Sequence, residues 1–174
     1  TSPISEAGIM ALGNGLALRG FYPIVEIMFG DFLGLTMDQL LNHGSLFPFM
    51  YGKQIPFSMV IRTPMGGRRG YGPTHSKSIE KYFMGMKGMP IVAVNHLCDP
   101  AQLLSWSHQY AHGPVLFIEN KLLYNEKFPK LIPQLTLKTY SENQGTIIIH
   151  LVPKSEADFV LLGYGGMAPF ICEL

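Results

Sequence analysis

Charge is scarce in this chain of 174 residues, where Asp, Glu, Lys and Arg together make up 14%, well below the roughly 25% usual for a free-standing soluble domain. Thirteen basic and twelve acidic side chains nearly cancel to a net charge of +1, which removes the electrostatic footprint of a nucleic-acid binder. Long apolar runs are absent too: none approaches the ~20 residues that span a bilayer, so no membrane partner is expected. Two cysteines, Cys98 and Cys172, make no disulfide framework and fit a reducing compartment. Thr1-Ser2-Pro3 has neither an initiating Met nor a signal-peptide pattern, so a cytoplasmic location is the default, and a processed mitochondrial matrix protein has the same look. No Gly-x-Ser-x-Gly elbow occurs, which leaves a serine hydrolase of that type without support.

What the chain does have is apolar and adaptable. Hydrophobic residues make up 47%, with 10 methionines and 19 glycines. A surface this poor in charge predicts that part of it is covered by a partner.

Helix and strand signals alternate, which predicts an α/β layer architecture, a three-layer sandwich around a mostly parallel sheet. Ser5 is placed to cap a helix from about Glu6 to Arg19, which Gly20 closes. Phe21 to Met28 reads as a strand with Pro23 near its start. A helix from about Thr36 to Phe47, a buried strand over Phe57 to Arg62 and a glycine-rich loop over Met65 to Thr74 follow. Ser78 to Met84 reads as helix and Pro90 to Val94 as strand. Asp99-Pro100 opens a helix reaching about Ala111, and Val115 to Glu119 is a further buried strand. Beyond Pro133 the pattern changes. Leu135 to Tyr140 and Thr146 to Leu151 read as a hairpin, and Phe159 to Leu162 with Gly163-Tyr164-Gly165-Gly166 as the opening strand and turn of another α/β domain. Three units are therefore expected: 1–133, a linker hairpin at 134–157, and a truncated start of a second domain at 158–174.

Several motifs carry less than their spelling suggests. Gly13-Asn14-Gly15 lies inside a predicted helix, not between a strand and a helix, which excludes dinucleotide binding. Ala7, Gly8, Ala11 and Gly15 recur at three- and four-residue steps, leaving a nearly bare helix face suited to close packing across a subunit interface. His108 and His112, four apart on a predicted helix, lack the glutamate of a zinc protease. Arg68-Arg69 reads as a solvated loop pair. Glu6 favours the first turn of a helix through the dipole alone, Phe32 reads as a core aromatic and His75 as a loop histidine.

Together these residues fall into a larger pattern. Thr1-Ser2-Pro3-Ile4-Ser5-Glu6-Ala7-Gly8, Gly20-Phe21-Tyr22-Pro23-Ile24-Val25-Glu26, Asp31-Phe32 and Met37-Asp38-Gln39 keep order and spacing with Arg62-Thr63-Pro64-Met65-Gly66-Gly67, Gly72-Pro73-Thr74-His75-Ser76 and Glu119-Asn120-Lys121-Leu122-Leu123-Tyr124. Over residues 1 to about 125 the chain resembles the pyrimidine-binding, transketolase-like domain of β subunits of thiamine-diphosphate-dependent 2-oxo acid dehydrogenases of the pyruvate, branched-chain and acetoin type.

The resemblance implies a decarboxylating oxidoreductase whose cofactor is thiamine diphosphate. Glu6 stands where that family hydrogen-bonds the ring nitrogen of the cofactor's aminopyrimidine, which favours the tautomer able to accept a proton. Phe32 stands where an aromatic stacks on that ring, fixing its plane at little entropic cost. His75 stands where a histidine faces the substrate. Catalytic roles thus fall to Glu6 and His75, cofactor binding to Glu6 and Phe32, and metal binding to no residue of this chain. The Gly-Asp-Gly…Asn motif that holds magnesium and diphosphate is missing. The resemblance assigns it to an α-type subunit or domain within a homo- or hetero-oligomer, and it implies a lipoyl-bearing acyltransferase as a further partner. The strand and helix that precede the Glu6 motif in the family are also missing, so the chain is expected to be inactive alone. Gly72-Pro73-Thr74-His75 is similar also to transketolases and deoxyxylulose-phosphate synthases. A carboligase therefore stays open as an alternative, as does a non-catalytic interaction module of the same fold.

Overall fold

The computed structural model describes residues 2–97, 99–127, 136–140, 146–150, 158 and 161–172, and at 136–140, 146–150 and 172 the backbone alone. Helix α1 runs Glu6–Leu18, with the Ser5 hydroxyl accepting from the Gly8 N–H at 3.3 Å. Gly20, at φ +84°, turns the chain out of the helix in a conformation that costs glycine nothing.

Four parallel strands form the sheet: β1 (Ile24–Glu26), β2 (Phe57–Met65), β3 (Ile91–Ala93) and β4 (His112–Asn120), in spatial order β1-β2-β4-β3. Phe57 lies opposite His112 and Met65 opposite Asn120, so the two long central strands are paired end to end. Both central strands are almost wholly buried, as a parallel sheet covered on two faces requires. Their side chains alternate between two cores. On one face Phe57, Met59, Ile61, Leu116 and Ile118 pack with Met10 and Ala17 of α1 and with Leu33 and Leu40. On the other, Val60 and Phe117 pack with Leu103 of α3 (Pro100–Gln109). The expected three layers follow from that alternation. Each fully buried apolar side chain contributes about 1.5–3 kcal/mol.

The edge strand is shorter than the expected Phe21 to Met28. Pro23 O accepts from Val60 N at 3.0 Å and Arg62 O from Ile27 N at 3.0 Å, so β2 grips the chain from Pro23 to Ile27 while only three residues form regular ladder. The expected helix from Thr36 to Phe47 is replaced by a 3-10 turn, Gly30–Thr36, a π-helical turn, Gln39–Gly44, and the short α2, Phe47–Met50. The cause lies in α1. Buried Asn14 donates through Nδ2 to the Gln39 carbonyl at 2.8 Å, drawing that oxygen out of the regular ladder, and Ser45 N reaches back five residues to Leu40 O at 3.0 Å.

The predicted helix at Ser78 to Met84 contracts to one 3-10 turn, Glu80–Tyr82, because burying Ile79 and Phe83 needs a single turn and no more. Helix α3 keeps its Asp99 cap but ends at Gln109, so His112 opens β4 and does not share a helix face with His108. Strands β5 (Thr136–Tyr140) and β6 (Thr146–His150) pair antiparallel with Tyr140 opposite Thr146, as the hairpin pattern predicts. Of the strand expected at Phe159 to Leu162, Phe159 and Val160 lie outside the described residues. Leu161 and Leu162 have no regular structure, and Gly165–Met167 with α4 (Ala168–Cys172) follow. No helix of the described residues is long and apolar enough to cross a membrane.

Candidate functional site

All four parallel strands end at one edge of the sheet, and the loops that leave there carry the chemistry. From β1 the chain passes through Ile27 to Phe29 and the Gly30–Thr36 turn. At Met65, β2 gives way to the glycine-rich loop, and at Asn120, β4 gives way to a 3-10 turn, Lys121–Asn125. A Cβ on Gly30 would stand 2.3 Å from Met65 Cγ, so only glycine lets the first loop lie this close on β2.

The structure brings two of the three predicted site residues together. The rings of Phe32 and His75 are 5.3 Å apart and nearly perpendicular, at 79°. Phe29 joins both, at 5.8 Å from Phe32 and 4.7 Å from His75, and also meets Tyr71 at 5.5 Å. Such edge-to-face contacts hold rings in fixed orientation. Asp31 fastens the loop to the turn: its Oδ2 accepts from the Lys77 N–H at 3.3 Å, and Lys77 Nζ stands 3.8 Å from Oδ1. The Thr74 hydroxyl lies 2.8 Å from His75 Nδ1, which leaves Nε2 as the ring nitrogen available to another group.

Glu6 stands apart from that cluster. It occupies the first turn of α1, partly buried, and among the described residues its carboxylate has no hydrogen-bond or ion-pair partner. Its link to Phe32 is through the core, where Ile9 of α1 and Phe32 pack against the same buried cluster. Among the described residues no hydrogen bond, ion pair or ring contact joins Glu6 to Phe32 or His75.

Sequence reasoning missed three members of the cluster: Phe29, Tyr71 and Lys121. Lys121 is only 8% exposed, and its Nζ lies over the Phe29 ring at 3.5 Å and the Tyr71 ring at 4.7 Å. Burial pulls its pKa below the usual 10.5, the nearby Arg69 pulls the same way, and Tyr71 and Asp31 oppose. Arg69 donates to the Lys121 carbonyl at 2.9 Å. A signal for Lys121 was present, since a lysine that directly follows a strand buried on both faces has little water to reach.

A second polar group lies two residues back along β4. Arg62 Nε and Nη2 donate to the two Glu119 oxygens at 2.7 and 3.0 Å. Glu26 stands 3.8 Å from Arg62, and the Tyr124 hydroxyl donates to Glu119 Oε2 at 2.7 Å. The hydrogen bond to Glu119 raises the pKa of Arg62, and burial together with the same carboxylate raises that of Tyr124. Every group in this network is paired.

Two cavities open at this edge. One, of about 720 Å³, lies between the strand ends and the chain near Tyr164 to Phe170. The other, of about 340 Å³, is lined by Arg62, Glu119 and Tyr124 among others. Neither is lined by Glu6, Phe32 or His75, all three of which are partly buried. Among the described residues no group of three or more His, Cys, Asp or Glu is placed to hold a metal ion.

Comparison with known proteins finds a match over residues 1–127 to the transketolase pyrimidine-binding domain. The chain is 35% identical over 126 residues to the β subunit of acetoin:2,6-dichlorophenolindophenol oxidoreductase of Bacillus subtilis, covering 72% of this chain and 36% of that one. It is 34% identical over 128 residues to the mitochondrial pyruvate dehydrogenase E1 component subunit beta-1 of Arabidopsis thaliana, covering 74% and 35%. With the corresponding subunit of Saccharomyces cerevisiae it shares 33% over 153 residues, covering 84% and 42%. The chain thus spans between a third and a half of the length of these relatives.

Proposed function

The chain belongs to the transketolase pyrimidine-binding domain family, and from that premise we propose that it forms the cofactor-activating part of a β-type subunit in a thiamine-diphosphate-dependent 2-oxo acid dehydrogenase. The observation that carries this reading is a family match containing Glu6, Phe32 and His75, with Phe32 and His75 5.3 Å apart at the strand ends. The residues fit the pyrimidine end of the cofactor: a partly buried carboxylate without a partner, a half-buried aromatic ring and an imidazole with one free nitrogen.

Bound thiamine diphosphate supplies the electron sink that makes decarboxylation of a 2-oxo acid accessible. Glu6 holds the proton on the pyrimidine ring nitrogen, and its place in the first turn of α1 keeps it rigid. Phe32 sets the plane of the ring. His75, oriented by Thr74 and by the edges of Phe29 and Phe32, presents Nε2 to the substrate side and moves a proton there.

The magnesium and diphosphate end falls to an α-type subunit or domain that carries a Gly-Asp-Gly…Asn motif. Partial exposure of Glu6 and Phe32 suits a cofactor held between two protein halves. So does the bare face of α1, where Gly8, Ala11 and Gly15 are exposed beside Leu12, itself 65% exposed. A lipoyl-bearing acyltransferase receives the acyl group, in the cytoplasm or the mitochondrial matrix. Residues 1–133, 134–157 and 158–174 form the pyrimidine domain, a linker hairpin and the opening of a second domain.

The test is Glu6→Gln in the full-length subunit assembled with its α partner. Turnover of the 2-oxo acid falls about 100- to 10,000-fold, the range of one general acid–base group, with the fold intact. Retained turnover overturns the reading, and ketose formation with sugar phosphates redirects it to a carboligase.

A further inference from the structure

Lys121 presents an imbalance that the roles above do not use. The residue is more than nine-tenths buried and its ammonium keeps a little solvent contact, yet it has no hydrogen-bond acceptor and no carboxylate within ion-pair distance among the described residues. The faces of Phe29 and Tyr71 lie under it, at 3.5 and 4.7 Å. Two aromatic faces stabilise a cation but offer no lone pair to three N–H donors. A largely desolvated cation without a counter-ion gains when an anion supplies the missing acceptor. Arg69 adds a second cation beside it, anchored to the Lys121 carbonyl at 2.9 Å. Asp31, the acid that acts on it, is also engaged by Lys77. The amine shares the Phe29 ring with His75, the residue read as facing the substrate.

From this juxtaposition we infer that Lys121, with Arg69 behind it, binds the carboxylate of the 2-oxo acid and so selects anionic substrates over neutral carbonyl compounds. The inference rests on the proposed function and deepens it by naming the substrate group that the site recognises. Contact with the carboxylate is made in the ground state and gives uniform binding, so its loss raises KM and leaves kcat nearly unchanged.

The experiment uses the full-length subunit assembled with its α partner and loaded with thiamine diphosphate, with ferricyanide accepting electrons. Parent, Lys121→Met and Lys121→Arg complexes are compared on pyruvate and branched 2-oxo acids and on the aldehydes of the same carbon skeletons. In Lys121→Met the ratio of kcat/KM for acid over aldehyde falls about 10- to 100-fold, the loss carried by one charge-assisted hydrogen bond, and the change appears in KM. Lys121→Arg restores most of the ratio. A second readout needs no turnover. Calorimetric titration with a methyl acylphosphonate, a monoanion that cannot lose carbon dioxide, shows binding weakened by a similar factor, with the dissociation constant for thiamine diphosphate unchanged.

An unchanged ratio, or acid and aldehyde falling together, overturns the inference. So does weaker assembly of the two halves without a KM change, which would place the missing acceptor on the partner chain. A parent complex that binds no thiamine diphosphate overturns the underlying reading and this inference with it. A parent that turns over 2-oxo acids while Lys121→Met matches it overturns this inference alone.

Discussion

Glu119 and Lys121 stand two residues apart where β4 ends, in opposite electrostatic circumstances. Glu119 receives two bonds from Arg62 and one from Tyr124, all between 2.7 and 3.0 Å. Lys121 lies against aromatic faces, and among the described residues neither it nor Glu6 has a hydrogen-bond or ion-pair partner. One region is closed, its charges spent on each other and on joining β1, β2 and β4. The other is open, with donors and acceptors left for groups outside the chain. Charge alone therefore does not separate the two regions, and the bonding capacity left unmet within the chain does.

Substitutions on each side sharpen the contrast. The largest effect belongs to the open region: Glu6→Gln removes two to four orders of magnitude of turnover and leaves the thermal midpoint of the subunit unchanged, as calorimetry checks. Glu119→Gln does the reverse. It leaves a partly buried Arg62 with Glu26 at 3.8 Å as its remaining carboxylate and costs about 2 kcal/mol of stability, read from urea titration, while KM in the assembled enzyme stays within about twofold. A large stability loss from Glu6→Gln, or none from Glu119→Gln, would erase the distinction.

Phe32→Ala comes next. It removes the stacking surface and the edge contact to His75, weakening thiamine diphosphate binding about tenfold, as about 1–1.5 kcal/mol of aromatic contact implies. Equilibrium titration of the assembled enzyme measures it.

The smallest effect is one of pH. The pKa of Lys121 is lowered on folding, so the unfolded chain binds more protons just below pH 10.5 and stability rises with pH through that window. The pKa of Tyr124 is raised from 10.0, so its contribution is present below pH 10 and is lost as pH climbs further. The stability difference between parent and Lys121→Met narrows towards pH 10.5, and that between parent and Tyr124→Phe shrinks above pH 10. Urea titrations at a series of alkaline pH values record both slopes, and slopes of the same sign would contradict the pairing described for one of the two.

Local signals survived folding wherever a rule acted within a few residues. Ser5 with Glu6 opened α1, Asp99-Pro100 opened α3, and the apolar runs at Phe57 and Val115 became the central strands because both faces of a parallel sheet are buried. Prediction failed where distant groups intervened. Asn14 converted an expected helix into 3-10 and π turns by taking the Gln39 carbonyl, and no pattern within residues 36–47 announces a hydrogen bond from α1.

The candidate site divides along the same line. Glu6, Phe32 and His75 were proposed because their flanking motifs keep order and spacing, and chain order is a property of sequence alone. That Phe32 and His75 lie 5.3 Å apart, that Phe29 links His75 to Lys121, and that Glu119 is spent while Lys121 is not were decided only in three dimensions. The strands that carry these residues run parallel and release their loops at one edge, so groups more than forty residues apart become neighbours and each polar atom either finds a partner there or does not.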